Sequence, residues 1–155
     1  MNMPYTLIQA DEARLGLIVL QTDESLERDL RQLIPATVNL LVSRVPSGAE
    51  VTEETLGQMA RDLPASAALL PQMQRYAAIG YGCTSGAAVI GPARVADLVG
   101  AAAPTDHVTN PLTALLAANI ALMGDSAIEG PNQVALLIAA AFAALIAIRR
   151  GYRWA

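Results

Sequence analysis

The sequence predicts an α/β domain, doubly wound on a parallel sheet and followed by an apolar helical tail. Three observations point there. Over residues 1–110, short apolar runs alternate with polar, helix-like segments, the order that builds strand–helix–strand units. The clearest run, residues 15–20, is continuous rather than alternating, as in a strand covered on both faces. Beyond residue 110 the charge nearly vanishes, and residues 112–148 carry only Asp125 and Glu129.

The elements follow in order. Residues 15–20 form the first strand. Thr22, Asp23, Glu24 and Ser25 supply N-cap candidates and first-turn acids for a helix reaching about Leu33, which Pro35 ends. Residues 38–45 read as a second strand. Thr52, Glu53, Glu54 and Thr55 open another helix, with Leu56, Met59 and Leu63 on one face. Pro64 and Pro71 are expected to break this segment, with helix resuming around them over residues 65–75. Residues 76–81 are the third strand and 92–99 a further helix. Residues 107–109 form a short fourth strand, and Asn110 and Pro111 start the next helix. Ligands of such sheets bind beyond the carboxyl ends of the strands. That rule gathers residues 21–23, 44–46, 82–86 and Asn110 on one rim.

The third strand leads into Gly82, Cys83, Thr84, Ser85 and Gly86, and Cys83 is the only cysteine of the chain. A thiol between a strand and backbone amides that open a helix sits where anions are stabilised, and such surroundings favour the reactive thiolate. The two hydroxyls that follow can hold a carboxylate or an oxyanion. The competing reading makes Cys83 a small buried hydrophobe.

Composition limits the remaining classes. The 155 residues suffice for one domain with a sizeable core. With 54% hydrophobic and 15% charged residues, the chain is too apolar for disorder. A formal net charge of −4 argues against a nucleic-acid partner, which needs a basic face. One cysteine and one histidine give no metal-ligand spacing, and the lone thiol suits a reducing, cytoplasmic compartment. Residues 1–12 show no basic segment followed by an apolar core, so no signal peptide is expected. The glycines around Cys83 lack the spacing of a nucleotide loop. His107 is a candidate base for Cys83, with a solvated loop residue as the alternative. Arg44 can bind an anion or form a structural salt bridge.

Four motifs in order then resemble a known family: Leu15-Gly-Leu-Ile-Val-Leu-Gln-Thr-Asp-Glu24, Val42-Ser-Arg-Val-Pro-Ser-Gly48, Gly80-Tyr-Gly-Cys-Thr-Ser-Gly86 with Val89-Ile-Gly-Pro92, and Val108-Thr-Asn-Pro-Leu-Thr-Ala114. Over residues 10–116 the chain is similar to the ectoine-utilisation proteins of the EutA group. These belong to the aspartate/glutamate racemase superfamily, with maleate isomerase and arylmalonate decarboxylase. The resemblance implies one lobe of a two-lobed, doubly wound fold. It also implies a cofactor-independent racemase or isomerase acting beside the carboxylate of a small molecule, with no metal. Cys83 stands at the position of the family's nucleophile or acid/base, and Thr84 and Ser85 at carboxylate-binding positions. The first-strand loop, with Thr22 and Asp23, stands where the family makes a further polar contact. Asp23 replaces the asparagine frequent in maleate-isomerase-like members, and its local alternative is an N-cap. The family's second cysteine comes from a second lobe. A homo-oligomer or another partner is one way to replace it.

Residues 117–155 resemble instead an N-terminal piece of an NhaC-type sodium/proton antiporter. The run 134–148 is apolar on every face and is followed by Arg149, Arg150, Tyr152 and Trp154, as at a cytoplasmic membrane boundary. As a helix it spans roughly 22 Å, short of the ~30 Å bilayer core. It is thus either a contact with the inner membrane or a buried helix. Three functions stay open at this level: a racemase-type lobe incomplete for catalysis alone, a membrane-anchored or transporter-derived fragment, and a non-catalytic carboxylate-binding module.

Overall fold

The parity of the first strand sets the layers. The computed structural model describes residues 13–122, in the order β1 (Arg14–Leu20), α1 (Leu26–Leu33), β2 (Asn39–Val45), α2 (Glu53–Ala68), β3 (Ala78–Tyr81), α3 (Thr84–Ile90), α4 (Pro92–Ala102), β4 (Val108–Thr109) and α5 (Pro111–Leu122). Side chains along a strand alternate between faces. Leu15, Leu17 and Val19 therefore share one face of β1 and pack with Leu26 and Leu30 of α1 and Ala114 of α5. Ile18 faces the other way, into a core with Ile79 and Tyr81 of β3, Leu56, Met59 and Leu63 of α2, Ala87 of α3, and Val95 and Val99 of α4. Both faces are covered, which is why the run 15–20 has no polar position.

The sheet order is β2-β1-β3-β4 and every pairing is parallel. In register, Leu17 lies between Val42 and Gly80, and Gly80 pairs onward with Thr109. The doubly wound parallel α/β lobe expected from the sequence is the fold observed.

Several boundaries differ from the expectation. The first helix starts at Leu26, with Ser25, the last of the cap candidates, at its N-cap position, but the side chain that bonds the first amides is that of Asp23. Pro64 does not break α2, which runs unbroken to Ala68. A helix-interior proline costs about 3 kcal/mol. Fully burying a leucine-sized side chain returns roughly 1.5–3 kcal/mol, and Leu63 and Leu70 are both buried around Pro64, with Ala67. The tertiary term wins. Ser66 Oγ also donates to the Asp62 carbonyl at 3.0 Å, and Ser43 Oγ of β2 donates to the Ser66 carbonyl at 2.6 Å.

Helix does not resume over residues 69–75. The Gln72 side-chain amide covers the last carbonyls of α2, those of Ala67 and Ala68, at 3.4 Å each. The chain then extends, Tyr76 bridging to Thr105. A capping box starts α2 as its sequence suggests: the Thr55 amide donates to Thr52 Oγ1 at 3.1 Å and the Thr52 amide to Thr55 Oγ1 at 3.0 Å. Gly91, at φ +91°, separates α3 from α4, and Pro92 opens the second of these helices.

The proposed tail from residue 117 begins inside α5, which runs continuously to Leu122. The apolar run 134–148, the antiporter-like segment and the proposed membrane contact lie outside the described residues. Among the described residues no helix is long and apolar enough to cross a membrane.

Candidate functional site

β1 lies inside the sheet, with the connection through α1 leading to one side of it and β3 and β4 lying on the other. The strand order therefore reverses between β1 and β3, and their carboxyl ends flank the crevice where such folds bind ligands. The β1 loop with Thr22 and Asp23 and the β3 end with Cys83, Thr84 and Ser85 are the neighbours across it. The ends of β2 and β4 extend the same rim toward Val45 and Asn110.

At the β3 end, Cys83 keeps extended backbone (φ −126°, ψ 111°) and occupies the N-cap position of α3. The Gly86 amide donates to Cys83 Sγ at 3.2 Å. The residue is 7% exposed, so the sulfur lies just beneath the rim. Thr84 and Ser85 are exposed. Among the described residues neither hydroxyl has a hydrogen-bond partner, which leaves both available to a ligand.

Tyr81 belongs to this cluster, although only the strand was recognised in the sequence. It lies two residues before Cys83, on the same side of the extended chain, and is 0% exposed. Its hydroxyl donates to Met59 Sδ at 3.8 Å and stands against Gly86, where any added Cβ would overlap it and lie 3.0 Å from Cys83 Sγ. Burial pushes the phenol well above its ordinary range, and the adjacent Cys83 adds to the shift through charge and hydrogen bonding. The i, i+2 spacing of Tyr81 and Cys83 was the signal that could have found it.

The β1 loop is held by its own Asp23 and by side chains of β2 and the loop after it. Asp23 Oδ1 accepts the amides of Ser25 and Leu26 at 2.9 and 2.6 Å, so its carboxylate serves as the cap of α1. Thr22 Oγ1 lies 3.3 Å from Ser47 Oγ, bridging to the β2 loop. Arg44 Nη1 donates to the carbonyls of Leu20, Gln21 and Asp23 at 3.1, 3.3 and 2.7 Å. Its Nη2 lies 3.9 Å from Glu27. Arg44 thus acts as a structural clamp. Asn110 caps α5, its Oδ1 accepting the Leu112 and Thr113 amides.

His107 is not near the thiol. Its carbonyl accepts the Ile79 amide at 2.9 Å, which puts it before β4 and four residues short of Cys83 along β3. That separation is about 13 Å of extended chain. His107 is exposed, as in the solvated-loop alternative, and the role of base for Cys83 falls away. Two surface hollows, of about 430 and 490 Å³, lie against α1 and β2, both lined by Glu27, Arg31 and Arg44, and neither is lined by Cys83, Thr84 or Ser85. The Arg31 guanidinium is already engaged by Glu27 at 3.0 Å. No group of three or more potential metal ligands occurs among the described residues.

No family model matches the chain, and no curated protein matches it. Among solved structures, the maleate isomerase Iso from Pseudomonas putida S16 is similar, with a TM-score of 0.56 and 22% identity. The match covers 72% of this chain and 50% of that one, so the chain spans about half the length of the isomerase. At this identity the likeness concerns the fold.

Proposed function

We propose that the lobe is a cofactor-independent racemase- or isomerase-type unit that acts beside the carboxylate of a small molecule. Within this proposal Cys83 is the nucleophile or acid/base, and Thr84 and Ser85 receive the carboxylate. Thr22 and Asp23 contribute from the β1 loop, Asp23 through the turn that it caps. The observation that carries the proposal is the junction of β3 and α3. There a barely exposed sulfur accepts the Gly86 amide, directly beside two exposed hydroxyls at the switch point of the sheet. The likeness of fold to a maleate isomerase agrees with it, and the four motifs suggest the ectoine-utilisation group as the subgroup.

Proton transfer across a stereocentre needs an acid and a base on opposite faces of the carbon. The sequence contains one cysteine, so the lobe is incomplete for that step until another lobe, a second copy or a partner protein faces it. Residues 10–116 are the unit proposed to bind, and the continuity of α5 to Leu122 moves the start of the separate segment, expected at residue 117, to beyond that helix.

Protection of Cys83 from iodoacetamide tests the binding. Maleate or another dicarboxylate at millimolar concentration is expected to slow alkylation of the folded wild type, and Ser85→Ala to abolish the protection. Unchanged alkylation in the wild type would refute the carboxylate site. Protection by ligand with a thiol no more reactive than that of a model peptide would favour a non-catalytic binding module.

A further inference from the structure

Tyr81 is a fully buried polar side chain for which packing alone gives no reason. A phenol carried into an apolar interior loses water, and that loss is offset only by a good partner. Its acceptor, Met59 Sδ at 3.8 Å, is a thioether and a weak one. Phenylalanine would fill the same space without the desolvation. The hydroxyl, however, stands over Gly86 with Cys83 Sγ beside it, and the lack of a side chain at residue 86 is what lets both approach. The Gly86 amide already donates to this sulfur at 3.2 Å. One donor, the Gly86 amide, thus meets the Cys83 sulfur, and the rotatable O–H of Tyr81 stands close by.

We propose that Tyr81 is a positioning residue for Cys83: its hydroxyl turns from Met59 to the sulfur when the thiol ionises, and holds the thiolate at the rim. The thiol proton leaves to solvent and no bond between heavy atoms changes. A thiolate accepts more strongly than a thioether, because hydrogen bonds to an ionised acceptor are about twice as strong as neutral ones. The rotor therefore follows the charge. Burial and the neighbouring sulfur raise the phenol, so Tyr81 keeps its proton throughout the range in which a cysteine titrates and remains a donor.

Other charges contribute little by comparison. Among the described residues, Cys83 is the ionisable group that acts on the Tyr81 phenol. Of the helices packed on α3, α4 carries Arg94 and Asp97, both exposed. α2 carries Glu53 and Glu54, exposed at its start, and Arg61 and Asp62, both bonded to Gln58. The described part of α5 has none. At the rim, Asp23 is bonded to the start of α1 and Arg44 to loop carbonyls, and Glu24 is exposed. The proposal rests on the reading of Cys83 as the working group, yet its test needs no turnover.

The experiment is the rate of iodoacetamide alkylation of the folded protein against pH, for the wild type, Tyr81→Phe and Met59→Leu. Loss of a hydrogen bond to a charged group predicts that Tyr81→Phe moves the midpoint upward by about one pH unit or more. Met59→Leu is expected to leave the midpoint where it is. An unmoved midpoint in Tyr81→Phe, or an equal shift in Met59→Leu, would overturn the proposal. If Tyr81→Phe does not fold, wild-type protein made with 3-fluorotyrosine replaces it. Its stronger phenol donor is expected to lower the midpoint, and an unchanged one overturns the proposal.

Dicarboxylate protection separates the two claims. Protection absent with the Tyr81 shift intact removes the carboxylate site and leaves Tyr81 standing. Protection intact with no shift does the reverse.

Discussion

Arg44 and Asp23 grip the same turn from two sides. The Asp23 carboxylate gathers the Ser25 and Leu26 amides, while Arg44 Nη1 reaches across from β2 to the Asp23 carbonyl at 2.7 Å. The β1 loop therefore depends on a strand that is not its sequence neighbour, and the pair fixes where Thr22 stands on the rim.

Replacing Arg44 by Met is expected to preserve the fold and to cost about 1 kcal/mol, since its hydrogen bonds are charge-assisted but the side chain is partly exposed. Chemical denaturation would read the loss. Dicarboxylate protection of Cys83 should weaken in parallel, because the β1 loop loses its clamp. Full stability with full protection in this variant would show that the loop needs no clamp.

Two glycine-to-alanine changes should act in opposite directions. At Gly86 a Cβ would overlap the Tyr81 hydroxyl and crowd Cys83 Sγ, so Gly86→Ala should destabilise by about 1–3 kcal/mol. At Gly57, inside α2, a Cβ meets no atom within 4 Å. Gly57→Ala should stabilise by roughly 0.5–1 kcal/mol through helix propensity. Thermal melting of the two variants checks both signs at once.

Alkaline pH should unfold the protein partly through Tyr81. Its folded pKa is raised above the usual 10.0, so the stability linked to it is complete below about pH 10. That stability declines as pH rises further, because the unfolded chain releases the phenolic proton first. The expected slope is about 1.4 kcal/mol per pH unit for this one group. Stability of the wild type minus that of Tyr81→Phe, measured from pH 9 to 11.5, should fall above pH 10. A constant difference would contradict it.

The purified chain is expected to show no measurable racemisation or cis–trans isomerisation of carboxylate substrates, since one thiol serves one face of a carbon. Exchange of a proton on that single face can survive. Deuterium incorporation with inversion, lost in Cys83→Ala, would mean that a second copy or another residue completes the site.

The order of strands and helices was legible in the sequence because β1 and β3 are continuous apolar runs and α1 and α2 follow hydroxyl and acidic residues. The same reading put Cys83 at a strand end, and the sheet order gave that end its place beside the switch point. What escaped it were effects of distant contacts. Pro64 looked like a break, since nothing local reveals that Leu70 and Ala67 are buried beyond it. For Arg44 the sequence left anion binding and a structural bridge open, since its carbonyl partners lie more than 20 residues away. For His107 the sequence left a base and a solvated loop residue open, and a two-residue strand was too short to decide between them. Tyr81 was different: its spacing from Cys83 was visible, but its value as a donor depended on Gly86 leaving room.

Three helices begin on the rim, and each has a side chain of the preceding segment bonded to its first amides: Asp23 before α1, Cys83 before α3 and Asn110 before α5. The consequence is entropic. Turns fixed by their own side chains lose their conformational freedom when the chain folds, so a ligand arriving at this rim has little backbone left to order.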